Sequence, residues 1–239
     1  MNQEWHQRIT AAPIFQDLSP DYVKKILEAS ELIEKPGGKT LFLQGENPDS
    51  LHILFEGTVE LRGADRDGRE TLMEVVEPVD SFILAAVINN APYLMSARTL
   101  KAARLLAIPA RFLREEVRRE PALSMMLLGA LSRHYRDMVR QIKDLKLRSS
   151  SERIGSFLLS LARDHKRTGR VVLPYSKRLL SDRLNMTPEN FSRATAQLAE
   201  CGVRMEGMRV VIEDLDSLAE FCRLDPLLDA RERLETHSP

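Results

Sequence analysis

Two patterns divide the chain. Up to residue 108, apolar positions come in short runs broken by turn residues; beyond residue 121 they recur at spacings of three and four. The first pattern predicts strands and the second predicts helix. Ser19 as N-cap and Pro20 at the first helical position start a lead helix that runs to about Ser30. Strands follow over 31–35, 40–44, 51–55, 58–62, 70–76, 97–101 and 104–108, punctuated by Pro36-Gly37-Gly38, Gly45-Glu46, Glu56-Gly57 and Asp67-Gly68. Such spacing suggests a compact barrel or roll. Between Pro78 and Ser96 an apolar helical insert, Phe82 to Asn89, interrupts it, and the mouth of a small barrel is where ligand pockets form.

A short helix is expected over Pro109–Val117 and a long one from Pro121. On the long helix Leu128, Leu131, Tyr135, Met138, Ile142 and Leu145 recur every three or four residues, with charged side chains between them. This is a heptad-like seam. It has two destinations, a second copy of the chain or the chain's own barrel. Ser149 and Glu152 then form a capping box that breaks the helix, and Ile154, Phe157, Leu158 and Leu161 make the core face of the next. The expected domains are therefore a β-roll at 1–120, a seam helix at 121–148 and a third domain at 149–239.

In that last domain Ser176 caps a helix from Lys177 to Leu184 with a Leu179, Leu180, Leu184 stripe, and Asn185-Met186 makes a tight turn. Thr187 and Pro188 start a second helix, whose Ala194, Leu198 and Ala199 face inward. Glu189, Ser192 and Arg193 fall at i, i+3 and i+4, so their tips cluster on its first turns. Arg can bond guanine O6 and N7, Glu can accept from cytosine N4, and Ser serves either. A short helix, a turn and a polar helix start read as helix-turn-helix. The alternative is an ordinary helical hairpin with a solvated face. Val203–Met205 and Met208–Ile212 flank Glu206-Gly207 as a wing hairpin. Ser176, Lys177, Thr187, Glu189, Asn190, Ser192, Arg193, Arg204 and Arg209 are the candidate contacts to double-stranded DNA.

Composition changes this picture only in detail. The 239 residues carry 35 basic and 35 acidic side chains, so net charge is zero. Residues 149–212 nevertheless hold roughly 11 basic against 6 acidic groups, which suits phosphate, and acids predominate after 213. No apolar run is long enough to span a membrane and no secretory pattern opens the chain; with Cys201 and Cys222 the only cysteines, a reducing cytoplasm is expected. His52 is the only histidine in the strand-rich segment, which argues against a cupin-like metalloenzyme.

A β-roll, a long helix and a winged helix-turn-helix in this order resemble the CRP/FNR superfamily of bacterial transcription regulators. The likeness runs from Phe15 to about Leu215. It rests on Gln44-Gly45-Glu46, Leu51 to Leu61, Glu152-Arg153-Ile154 and Glu189-Asn190-Phe191-Ser192-Arg193. It implies an α+β fold: a cyclic-nucleotide-binding-like double-stranded β-helix, a dimerisation helix and a C-terminal winged helix-turn-helix. It further implies a homodimer, inverted TTGA-like half-sites and contact with RNA polymerase. The charged Asp65–Arg69 turn is a candidate for that contact, with an ordinary solvated loop as the alternative. The Pro188–Arg193 form is similar to the DNR-type nitric oxide regulators.

The resemblance also locates the family's effector pocket, and there the chain departs. Members that bind cyclic AMP carry Gly-Glu where this chain has Leu84-Ala85, Arg-Ser where it has Met95-Ser96, and Thr-Ser where it has Met138-Val139. Burying a phosphate without a cation or donors costs several kcal/mol, roughly 2–7 for even an unpaired polar group. Cyclic AMP is thus argued against, leaving a cyclic-nucleotide regulator with atypical geometry as the alternative. An iron–sulfur cluster needs about four thiolates, and the first 200 residues contain none. The expected effector pocket is Phe82, Leu84, Ala85, Val87, Ile88, Met95, Ser96 and Met138, with a filled core as its competing interpretation. Haem is a candidate effector, with His6, His52 and Met73 as candidate ligands.

Overall fold

Ser19 does cap the lead helix: its Oγ accepts from Tyr22 N at 3.3 Å, and Pro20 follows as the first helical residue. The computed structural model describes residues 3–164, 169–225 and 229. The chain forms two compact units that meet between Tyr135 and Arg136. In the first, α1 (Gln3–Thr10) and α2 (Pro20–Ala29) precede β1 (Glu31–Lys35), β2 (Thr40–Phe42), β3 (Ser50–Ala64), β4 (Glu70–Val76) and β5 (Asp80–Phe82). Then come α3 (Leu84–Asn89), β6 (Ser96–Pro109), α4 (Ala110–Glu116) and the start of α5 (Pro121–Leu147). Pairing is antiparallel in the order β1-β6-β3-β4, with β2 also on β6 and β5 on β3.

The segments 51–55 and 58–62, expected as separate strands, are one strand, β3, and the same holds for 97–101 and 104–108 in β6. Glu56-Gly57 is a bulge and not a reversal. The register shifts there, and the bulge changes which face each side chain takes. Leu51, Ile53 and Phe55 face the layer of α1, α2, α4 and α5, whereas Val59 and Leu61 point with Leu54 into the roll. Gly57 permits this at φ +89°, where an added Cβ would stand 2.2 Å from the Ala102 carbonyl oxygen. No alternation pattern reveals a bulge, so the two halves of the strand read as two elements.

Phe42, Leu54, Val59, Leu61, Phe82, Tyr93 and Leu105 fill the roll interior. His52 is buried among them, its ring centroid 5.8 Å from that of Phe42 and 5.6 Å from that of Phe82. Burial lowers its pKa to about 4, so the imidazole is neutral at pH 7. The unfolded chain takes up a proton near pH 6.5 that the native state refuses until about 4, so stability falls as pH drops through that window. The expected loss at pH 5 is about 2 kcal/mol. Urea midpoints read by Trp5, the single tryptophan and itself in this unit's core, check it; His52→Phe should flatten the dependence.

α5 serves two faces. Leu123, Met126, Leu127 and Ala130 are buried against the first unit's helices and sheet, so the compact unit runs beyond residue 120 into the helix. The second unit holds the last turns of α5, α6 (Ser150–Asp164), β7 (Arg170–Val172), α7 (Lys177–Arg183), α8 (Pro188–Ala199), β8 (Val203–Glu206), β9 (Arg209–Ile212) and α9 (Leu215–Phe221). Its capping box forms as expected: Ser149 N donates to Glu152 Oε2 at 2.7 Å and Glu152 N to Ser149 Oγ at 3.3 Å. Ile154 and Leu158 are fully buried, and β7 adds a third strand to the β8–β9 hairpin.

Candidate DNA-binding face and effector region

α7 and α8 are started by their caps. Ser176 Oγ accepts from Leu179 N at 3.2 Å, and Thr187 Oγ1 from Asn190 N at 3.2 Å. Between them Asn185 takes φ +50°, the left-handed conformation that Asn tolerates better than most residues. Phe191, Ala194 and Leu198 bury one face of α8 against Ile154, Leu158 and Leu180. Ala199, expected inside, is exposed, because it follows Leu198 by one residue and so lies about 100° around the helix from the Phe191, Ala194, Leu198 stripe.

The opposite face of α8 is bare. Glu189, Asn190, Ser192 and Arg193 are exposed at its N-terminal end. Arg193 Nη2 donates to Asn190 Oδ1 at 2.5 Å, so the partner that orients the guanidinium is Asn190. Glu189 is fully exposed; its own backbone amide, then the Thr187 hydroxyl and Arg193, hold its carboxyl below the usual range. At neutral pH it is an ionised acceptor beside a cationic fork. That pairing is the chemistry required to read the two edges of a G·C pair. Ser176 and Lys177 are exposed at the start of α7, and Arg209 is exposed on the wing.

Arg204 is placed differently from expectation. Its Nη2 lies 2.7 Å from Glu213 Oε1, so it reaches the wing surface already paired. Both side chains are more than half exposed, and such a pair adds little stability. Glu213→Gln should therefore leave folding unchanged while freeing one cation per chain for phosphate. The expected result is tighter non-specific duplex binding whose salt slope steepens by about 0.9 per phosphate gained. Titrations at three salt concentrations check it.

The seam residues Leu128, Leu131, Tyr135, Met138, Ile142 and Leu145 are between 42% and 66% exposed. Of the two destinations left open by the sequence, the chain's own core is not the one they take. Met125, Val139 and Leu147 extend the same uncovered apolar surface.

The residues expected to line one effector pocket are not brought together. Phe82 packs inside the roll and Met95 lies against that core, whereas Leu84 and Val87 are buried in the helical layer on the other side of the sheet. Ala85 and Ile88 face outward, and Met138 is exposed in the second unit. The cause is the amphipathicity of α3, which spends its apolar face on packing. Ser96 Oγ accepts from Gln44 N at 2.9 Å. Ile83, just before α3, takes φ +62°, a costly conformation for a β-branched residue. Asp80, at the other end of β5, contacts His134 Nε2 at 3.2 Å and raises its pKa.

The candidate haem ligands are scattered as well. His52 lies inside the roll, Met73 is 54% exposed on β4, and His6 sits on α1. Around His52 the aromatic rings stand at contact distance, with Phe42 and Phe82 centroids 6.3 Å apart. As packed, these residues do not fit a macrocycle.

Residues 32–120 match the cyclic nucleotide-binding domain, and residues 152–221 match the Crp-like helix-turn-helix domain. The chain belongs to the CRP/FNR superfamily of transcription regulators. This CRP/FNR regulator is 29% identical over 220 residues to a CRP-like cAMP-activated global transcriptional regulator of Mycobacterium tuberculosis, across 90% of this chain and 98% of that one. A regulatory protein from Silicibacter pomeroyi superposes with TM-score 0.61 at 29% identity, over 92% of this chain and 100% of the other. DNR from Pseudomonas aeruginosa superposes with TM-score 0.51 at 25% identity, over 92% and 99%. As expected from sequence, then, the CRP/FNR chain is a DNA-binding transcription regulator and not an enzyme. Among its described residues no helix is long and apolar enough to cross a membrane.

Sequence reasoning missed two features of this CRP/FNR chain's site. Asn190 was included as a DNA contact without its role on Arg193, although the i, i+3 spacing of an amide and a guanidinium signalled it. Phe42, which flanks His52, carried no signal, since only the roll's closure brings β2 beside β3.

Proposed function

We propose that this regulator works as a homodimer that reads an inverted repeat of TTGA-like half-sites, with α8 of each copy in a major groove. The observation that carries the reading is the bare N-terminal face of α8, where an ionised Glu189 and an Asn190-oriented Arg193 stand side by side. In this reading Arg193 takes the guanine and Glu189 the paired cytosine, and Ser192 supports a base or phosphate. The exposed stripe on α5 supports dimerisation, because a soluble chain rarely leaves so continuous an apolar face uncovered. Two-fold pairing there matches the palindromic site. The cytoplasm is the compartment this function requires, and RNA polymerase is the partner through which it acts, with the Asp65–Arg69 turn as one contact.

The effector that biases the dimer is not a cyclic nucleotide bound in the family's usual way. Leu84-Ala85 and Met95-Ser96 offer one hydroxyl in place of a carboxylate and a guanidinium, and that hydroxyl already holds Gln44 N. A second reading, an atypical cyclic-nucleotide pocket, is favoured by the match of residues 32–120 and by the cAMP activation of the mycobacterial relative. The test has three arms. Electrophoretic titration of a TTGA inverted repeat against a scrambled duplex decides the DNA reading, and equal affinity for both overturns it. Calorimetry with cyclic AMP and cyclic GMP decides the second reading, which submicromolar binding would establish. A haemin titration followed at the Soret band decides haem, whose entry beside His52 would require Phe42 or Phe82 to swing aside.

A further inference from the structure

The link between α5 and α6 is two residues long, Arg148 and Ser149, so few torsions set the angle at which α6, and α8 packed on it, leave the seam helix. Arg148 is not a solvated linker residue. Its side chain is 7% exposed and lies between two carboxylates. Nη1 donates to Asp144 Oδ1 at 2.8 Å and to Asp229 Oδ1 at 2.9 Å, and Nη2 donates to Asp229 Oδ2 at 2.5 Å. The Asp229 contact is a bidentate fork, the strongest geometry a guanidinium and a carboxylate form.

Asp229 is itself 88% covered at the side chain, and three further contacts hold its neighbourhood. Asp225 N donates to Asp229 Oδ2 at 2.7 Å, Lys143 Nζ lies 3.7 Å from Asp225 Oδ2, and Arg163 Nη1 reaches the Asp229 carbonyl at 3.3 Å. On the other side of the link, Arg153 Nη1 donates to the Arg148 carbonyl at 3.0 Å. Residues 225 and 229 thus touch the end of α5, the link and α6 at once. α9 delivers them there by packing Cys222 on Gly155, where an added Cβ would stand 2.2 Å from Cys222 Sγ. Asp225 and Asp229 lie beyond residue 221, where the Crp-like helix-turn-helix match ends.

We propose that Asp229 is a positioning residue for DNA recognition: by forking onto Arg148 it locks the α5–α6 link and so sets the direction of the recognition helix relative to the seam. A buried guanidinium that loses one of two carboxylates draws in water or moves, and either event loosens the link. The inference rests on the dimeric reading above. Seating two α8 helices on half-sites one turn apart demands a defined angle, whereas attraction to phosphates does not.

The test uses the full chain with Asp229→Asn and Asp229→Glu, titrated on an inverted-repeat duplex and on a scrambled one. Asp229→Asn should lose about tenfold in specific affinity, equivalent to ~1.4 kcal/mol. Non-specific affinity, its salt slope and the oligomeric state should stay unchanged, and trypsin should cut after Arg148 faster. Asp229→Glu, which keeps the carboxylate, should recover most of the loss. Two results overturn the proposal. One is unchanged specific affinity in an Asp229→Asn protein whose cleavage after Arg148 is accelerated. The other is a parallel fall in both kinds of DNA binding with a lowered thermal midpoint, which marks a structural role only. If the unaltered chain itself shows no preference for the repeat, the DNA reading fails first and this inference with it.

Discussion

Arg193→Ala is expected to abolish operator preference while leaving the thermal midpoint where it was. Arg193 is exposed, donating to Asn190 and facing Glu189 on its own helix, so its truncation removes no core contact. Each half-site should lose roughly 1–3 kcal/mol, the worth of a bidentate guanine contact. A dimer uses the residue twice, so the repeat is expected to weaken by about 2–6 kcal/mol in all. Scrambled duplex, held by phosphate contacts, should lose far less. Competition titration with both duplexes separates these outcomes, and an unchanged preference for the repeat would falsify the assignment of Arg193. Asn190→Ala should produce a weaker version of the same effect, because it frees the guanidinium without removing it.

The second large effect lies on the seam. On the proposed dimeric arrangement, Leu131→Glu combined with Ile142→Glu should leave a folded monomer and remove specific binding. Both side chains are exposed in the single chain, 42% and 47%, so charge there costs the monomer little. In a dimer they would face apolar partners, and a buried carboxylate without a counter-charge is untenable. Splitting the two reading heads forfeits the avidity of a linked pair, about 10²–10⁴ in affinity. Sedimentation equilibrium gives the mass, and titration of a single half-site should remain near the wild-type value. A stable dimer in the doubly charged protein would place the interface elsewhere.

Much of the candidate recognition face was legible because it is local. Ser176, Thr187-Pro188 and the Ser149–Glu152 box specify helix starts through contacts three residues apart, and each forms as its spacing required. Asn185 marked the turn for an equally local reason, its tolerance of positive φ. The exposed cluster of Glu189, Ser192 and Arg193 follows from helical periodicity alone. The effector region was not legible in that way. Apolar residues between 82 and 95 read as one pocket lining, but a sheet has two faces, and the sequence does not say which face each side chain joins. Phe82 went inward and Leu84 and Val87 went to the helical layer, so no common lining formed.

Local patterning along the chain was enough to mark the strand-rich and helical regions, the helix caps, the exposed polar face of α8 and the apolar stripe of α5. It was enough because those properties depend on neighbours within one or two turns. Folding in three dimensions decided the rest: that Glu56-Gly57 is a bulge, that His52 is enclosed by Phe42 and Phe82, that Arg204 meets Glu213, and that Asp229 returns across 81 positions to fork onto Arg148. Such contacts join residues far apart in sequence. Their geometry exists only once the sheet has closed and the helices have packed, so no periodicity along the chain can encode it.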